Sequence, residues 1–178
     1  MKKGFTLLEL MVVVFIIATL AAIALPNYEM AVERSRATTG LLLAEQIARA
    51  NDAYYSEMNS YANDMKDLDI KIDGTGQPPQ LNDPTDTADG LNRVRTKFFE
   101  VGVATAYSYK GFANAYPLGS KYIIAVKNDG TAVCGVYSAA DTVKYGKLCT
   151  SMGGKPSPSA GLCLNVISQS NCYILPSK

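Results

Sequence analysis

From Phe5 to Leu25 the chain is apolar at every position except Thr6, Glu9 and Thr19, and this run limits what the molecule can be. As a helix, a stretch of about 21 residues spans roughly 30 Å, the thickness of a bilayer's hydrocarbon layer. One membrane crossing is expected, with the basic start Met1-Lys2-Lys3 on the cytoplasmic side. Two ordinary explanations compete for such a run. A secretory signal has a basic start and a small-residue cleavage site, and Ala22-Ile23-Ala24 offers one. Its apolar core, however, is about 7 to 15 residues long and has no use for a carboxylate. A plain signal anchor accounts for the length and the lysines but not for Glu9, because an acid in hydrocarbon costs on the order of 2 kcal/mol or more.

The rest of the composition removes whole classes of function. The chain has no histidine, so Ser-His-Asp and Cys-His nucleophile pairs are impossible and the commonest zinc ligand is missing. Neither an enzyme nor a metal or cofactor site is expected. The 17 cations are scattered against 16 acids, without the clustered Lys and Arg and interleaved aromatics of a nucleic-acid surface. At 178 residues, one folded domain is expected beyond the apolar run. Its cysteines, Cys134, Cys149, Cys163 and Cys172, lack the Cys-x-x-Cys spacing of zinc or redox sites. Their even number, on a segment the run would deliver outside the cytoplasm, points to structural disulfides in an oxidising compartment. Three pairings are open. Cys134 with Cys149 and Cys163 with Cys172 is favoured, because neighbours in sequence close short loops.

Gly4-Phe5-Thr6-Leu7-Leu8-Glu9, set between a short basic leader and a long apolar run, resembles the processing site of type IV prepilins and the related type II secretion pseudopilins. The phenylalanine and the short leader resemble the type IVa branch. The resemblance implies that residues 1–4 are a leader, cut off between Gly4 and Phe5 by a membrane prepilin peptidase that also N-methylates Phe5. It further implies a helical homopolymer as the product. The implied partners are an assembly ATPase, its inner-membrane platform and an outer-membrane secretin pore. The protein would be single-pass in the inner membrane before assembly and part of an extracellular fimbrium after it. A pseudopilin serving protein export, or a minor pilin, is the alternative within the class, and the paired cysteines favour a pilin.

Physical chemistry gives these residues roles of their own. Gly4 carries no Cβ, so an enzyme can approach the scissile bond closely. Glu9 is a carboxylate in an apolar helix and needs a partner, for which the Phe5 ammonium of an adjacent copy is the expected one. Pro26 removes one helix hydrogen bond and crowds the preceding turn, so a bend is expected there. Beyond it Leu43, Ile47, Ala50, Tyr54 and Met58 recur near the 3.6-residue period, which predicts one helix over 5–58 whose last part lies on a head. Gly40 is expected as a soft point within it.

The head reads as α+β, the long helix packed on a three- to four-stranded antiparallel sheet. That arrangement is also the pilin fold. Residues 59–97 are rich in Asp, Asn, Gly and Pro and read as a loop region, with a brief strand over Asp67 to Asp73. The acids there fit no EF-hand pattern and read as a solvated face. Strands are expected over Phe98 to Val103, Lys121 to Lys127 and Thr131 to Tyr137, with Ala106 to Tyr109 as a further candidate. Asn128-Asp129-Gly130 marks a hairpin turn. Residues 98–138 thus form the sheet, and 139–178 read as a loop-rich region stapled by the cysteines.

Overall fold

The computed structural model describes residues 5–74, 91–104, 111–119, 122–137, 141–157 and 172–176. Helix α1 (Leu7–Met58) starts at Thr6 and runs through Pro26 without a break. Proline has no N–H to give to the Ala22 carbonyl, and the Asn27 side chain donates to the neighbouring Ile23 carbonyl at 3.2 Å. Asn59 ends the helix in the left-handed conformation, its N–H closing back on the Tyr55 carbonyl at 2.8 Å.

After a 3-10 turn (Met65–Asp67) the chain forms one antiparallel sheet. Its strands are β1 (Leu91–Arg95), β2 (Phe99–Ala104), β3 (Ala113–Pro117), β4 (Tyr122–Val126), β5 (Ala132–Val136), β6 (Lys155–Pro156) and β7 (Cys172–Ile174). They lie in the order β1-β2-β3-β4-β5-β7-β6. A second helix, α2 (Thr142–Ser151), follows β5. The first five strands form a meander. At the β4–β5 hairpin the Lys127 N–H reaches the Thr131 carbonyl at 2.9 Å, and Gly130 takes a φ of 79° that side chains disfavour.

The expected helix-on-sheet arrangement is present, and the sheet is wider than the three or four strands anticipated. The strands foreseen at Phe98, Lys121 and Thr131 are β2, β4 and β5; the candidate at Ala106 to Tyr109 lies outside the described residues. The Asp67 to Asp73 stretch is not a strand. Asp64 caps the 3-10 turn instead, accepting from the Lys66 N–H at 2.9 Å, and takes the backbone away from a ladder.

The core lies between α1 and the sheet; Leu43, Ile47, Ala50 and Tyr54 of the anticipated stripe pack against it, while small residues beside them take the innermost positions. Ala37, Gly40, Ala44, Ile47, Ala48 and Asn51 are the buried residues of this helix. Of the anticipated stripe only Ile47 is fully buried, while Met58 is exposed. Small residues win the inner position because the helix axis sits close to the sheet. A Cβ at Gly40 would come within 2.6 Å of the Phe99 ring, so Gly40 is a packing requirement rather than a soft point. Facing α1 are Phe99, Val101, Ala115, Tyr122 and Ile124, all essentially without solvent exposure.

Two polar contacts fix helix to head. Asn51 accepts the Ala62 N–H at 2.9 Å inside the core, tying the chain after α1 back onto it. The buried Tyr122 hydroxyl donates to Glu33 at 3.0 Å, and Arg36 stands 3.6 Å from the same carboxylate. Burial first, and then the negative charge of Glu33, push the Tyr122 phenol well above its usual value. Cys134 of β5 is bonded to Cys149 of α2, which pins the second helix on the sheet as the favoured pairing has it. Cys172 on β7 is also disulfide-bonded, and Cys163 lies outside the described residues.

Candidate functional site

The candidate site is the part of α1 that touches nothing. Every residue from Leu7 to Leu25 is exposed, including Leu8, Met11, Phe15, Ile16 and Ile23. The head, by contrast, has closed its own core. Burying an apolar surface of this size gains free energy at roughly 25 cal/mol per Å², so a partner must lie outside the chain: lipid, or other copies. It is the one helix among the described residues that is long and apolar enough to cross a membrane, and its most apolar window is entirely unburied.

At the tip of this rod stand the residues singled out in the sequence. Gly4 lies outside the described residues. Phe5 is exposed, and Glu9 sits one helical turn above it. The Glu9 carboxylate is already engaged within its own chain. Its Oε2 accepts the Thr6 N–H at 2.9 Å and the Thr6 hydroxyl at 2.7 Å, while the Glu9 N–H reaches back to Thr6 Oγ1 at 3.3 Å. This is a capping box, which satisfies two N–H groups that a helix start otherwise leaves open. Thr6 escaped the sequence reading, although Thr-x-x-Glu ahead of an apolar run is its signature.

Further along, Thr19 folds its hydroxyl onto the Ile16 carbonyl at 2.8 Å, so the one other polar side chain before Pro26 is hidden from an apolar neighbour. The rod therefore presents hydrocarbon on all sides and a single acid at its tip. Phe5, Glu9 and Pro26 share this rod, whereas Cys134, Cys149 and Cys172 belong to the head. Among the described residues no three His, Cys, Asp or Glu side chains converge as a metal site would require. A groove between α1 and the β4–β5 hairpin mixes Glu45, Asp52 and Asp129 with Arg49 and Lys127. Desolvation raises the Asp52 carboxyl, while hydrogen bonds from Thr131 hold Asp129 low.

A rod open on every side joined to a self-contained helix-on-sheet head defines a subunit built to associate through its rod. Comparison with known proteins agrees. Residues 1–25 match the prokaryotic N-terminal methylation motif. The fimbrial protein EcpC of Eikenella corrodens is 37% identical over 113 residues, covering 63% of this chain and 72% of that protein. A Moraxella nonliquefaciens fimbrial protein is 36% identical over 96 residues, or 51% of this chain and 61% of its own length. The type IV major pilin PilE1 of Neisseria gonorrhoeae is 46% identical over 55 residues, covering 31% of this chain and 33% of that one. No solved structure matches. The chain belongs to the type IV pilin family.

Proposed function

We propose that this protein is the structural subunit of a type IV pilus, held in the membrane by its rod and then packed with copies of itself into a fibre. The observation that carries the reading is the contrast between a fully open rod, Leu7 to Leu25, and a head whose described residues close a core of their own. Lipid chains and neighbouring rods are equally apolar, so the surface that suits the bilayer also suits the fibre core. The same contact repeated between unlike faces does not close, and gives an open helical polymer. The relatives named as fimbrial proteins and type IV major pilins support a pilin over an export pseudopilin.

Processing follows from the family motif: cleavage between Gly4 and Phe5, with N-methylation of the new Phe5 amine. Removing the leader places a positive charge at the rod tip beside Glu9. In the membrane Thr6 keeps the Glu9 carboxylate hydrogen-bonded within its own helix, which lowers the cost of burying it. In the fibre the ammonium of an adjacent Phe5 supplies the opposite charge and selects the axial register. The peptidase, assembly ATPase, platform and secretin pore are the partners this route requires.

The test is the mature N-terminus and the assembly of Glu9 variants. Mass spectrometry of fibres should find N-methyl-Phe5 as the first residue, and a chain beginning at Leu25 would end the case. Glu9→Gln keeps the Thr6 bonds but loses the charge, so it should be processed normally and give few fibres by electron microscopy. Wild-type fibre numbers from that variant would remove the role of the ion pair.

A further inference from the structure

We propose that the end of the head nearest the rod is a lipid-facing surface, which docks on the anionic headgroups of the membrane before the subunit is extracted. The inference rests on the membrane-anchored reading above and goes beyond it. Three parts of the fold meet α1 at the level of residues 27–38. The β1–β2 turn sets Phe98 beside two cations, with the Arg36 guanidinium carbon 5.1 Å and the Lys97 Nζ 5.3 Å from the ring centroid. Leu118 of the β3–β4 turn shares a small cleft with Phe98, Glu33 and Arg36. On the other flank, Ser151 at the end of α2 lies with Asn27, Met30 and Arg34, and the exposed face of α2 carries Val143, Lys144 and Lys147.

This surface mixes accessible hydrocarbon with long cationic stems. Phe98 is 42%, Leu118 37% and Val143 71% exposed, apolar area that the edge of a bilayer would cover. Apolar side chains flanked by Lys and Arg suit the headgroup layer, where the stems lie along the lipid and the charges meet phosphate. Among the described residues the acids at this level are Glu29, Glu33, Asp141, Glu100 and Asp73. Glu100 pairs with Arg93 and Arg95 at 3.6 and 3.4 Å, and Asp73 precedes a glycine lying against the Arg95 backbone. Glu33 is already held by Tyr122 and Arg36, and Asp141 is engaged as well. At the opposite end, over the last turns of α1 and the 3-10 turn after it, Asp52, Glu57, Asp64 and Asp67 stand among the cations Arg49, Lys66 and Lys127. The end of the head toward the bilayer carries Arg34, Arg36, Lys97, Lys144 and Lys147 around its exposed apolar residues.

The reach is sufficient. Arg34 and Arg36 lie about 14 to 17 Å along the helix beyond Leu25. The headgroup layer fills about 5 to 8 Å of that interval. The remaining gap is about one Debye length, and a tilt of about 20° lowers one flank further. Tyr28, exposed just past the apolar run, stands at the depth where aromatic side chains anchor in the interface. Because the rod already tethers the head, a weak attraction is enough to set its posture.

The chain contains no tryptophan, so Leu118→Trp gives a single fluorescent reporter on this surface. The full chain is placed in phosphatidylcholine vesicles, with or without phosphatidylglycerol, whose headgroups carry a nitroxide quencher. The expected result is about fivefold more quenched head with phosphatidylglycerol, the effect of roughly one cation at an anionic surface. The gain should vanish in high salt or with Lys97→Glu and Lys144→Glu together. Val143→Trp, on the α2 flank, should respond the same way if the first reporter disturbs its turn. Equal quenching in both lipids overturns the docking. So does charge reversal that leaves quenching intact but reduces fibre yield, which would assign the surface to a second copy. Ile16→Trp, quenched by brominated acyl chains, separates the two readings: without that quenching the membrane anchor itself fails, and with it only the docking is at stake.

Discussion

One helix does two different jobs, and its two halves use opposite residues for them. Before Pro26, α1 carries Leu, Val, Ile, Met and Phe facing outward in every direction, and none of them is buried. Past Arg36 its fully buried apolar positions are Ala37, Gly40, Ala44 and Ala48 with Ile47, and Leu41, Leu43 and Tyr54 pack half-buried at their sides. The difference lies in where the partner is. A sheet fixed by its own strands can be approached closely, and small residues bring the helix axis in until Phe99 fills the place of a side chain at Gly40. In the proposed route the partner of the rod must be released and replaced, lipid first and neighbouring rods later, which suits large, flexible hydrocarbon with no fixed complement. The small residues at the innermost positions mark contacts made once on folding, and the fully exposed large ones before Pro26 mark contacts to be exchanged.

The comparison breaks most readily at Gly40. Gly40→Leu should destabilise the head by about 3 kcal/mol, even after the roughly 1 kcal/mol gained in helix propensity, because the new side chain collides with the Phe99 ring. Denaturant unfolding of the detergent-solubilised chain reads this, and adding Phe99→Ala should recover part of the loss. Should Gly40→Leu prove neutral, the close approach is not what positions the head. Asn51→Ala should cost about 2 kcal/mol by the same measurement, because it leaves the buried Ala62 N–H without its acceptor.

Tyr122→Phe is expected to cost about 1 kcal/mol at neutral pH through loss of the bond to Glu33. Its clearer signature lies at high pH. The phenol is held above its ordinary value of 10.0, so above that pH the unfolded chain releases a proton that the folded one keeps. The contribution of Tyr122 should therefore be constant below pH 10 and be lost as pH rises beyond it, giving a shallower alkaline fall in Tyr122→Phe. Identical alkaline profiles would show that Tyr122 is not the titrating group. The smallest effect belongs to the rod: Phe15→Ala and Ile16→Ala should change head unfolding by less than about 0.5 kcal/mol, since neither side chain is buried. A larger shift would mean that the rod helps hold the head together.

What could be read beforehand follows the same division. The apolar run, the Gly4-Phe5 junction and Glu9 are local patterns, and α1 forms where its periodicity places it. The β4–β5 hairpin was legible because Asn128-Asp129-Gly130 encodes its turn within a few residues. Strand β3 was not: Ala113, Asn114 and Ala115 have little strand preference and are held by β2 and β4 on either side. Helix α2 contains Gly146 and three β-branched residues and owes its place to the bond between Cys149 and Cys134. The small members of the inner stripe, Ala37, Gly40, Ala44 and Ala48, were missed because alanine and glycine carry no large apolar signal. The Glu33 and Tyr122 contact spans 89 positions and has no local trace.

Since α1 continues unbroken from rod into head, a pull along an assembled fibre would travel down its backbone hydrogen-bond ladder from Leu7 to Met58. The strands hang beside that line of force instead of forming links in it. Tension would then load the rod-to-rod contacts and leave the sheet slack, so the protein can carry its decoration like insulation on a cable.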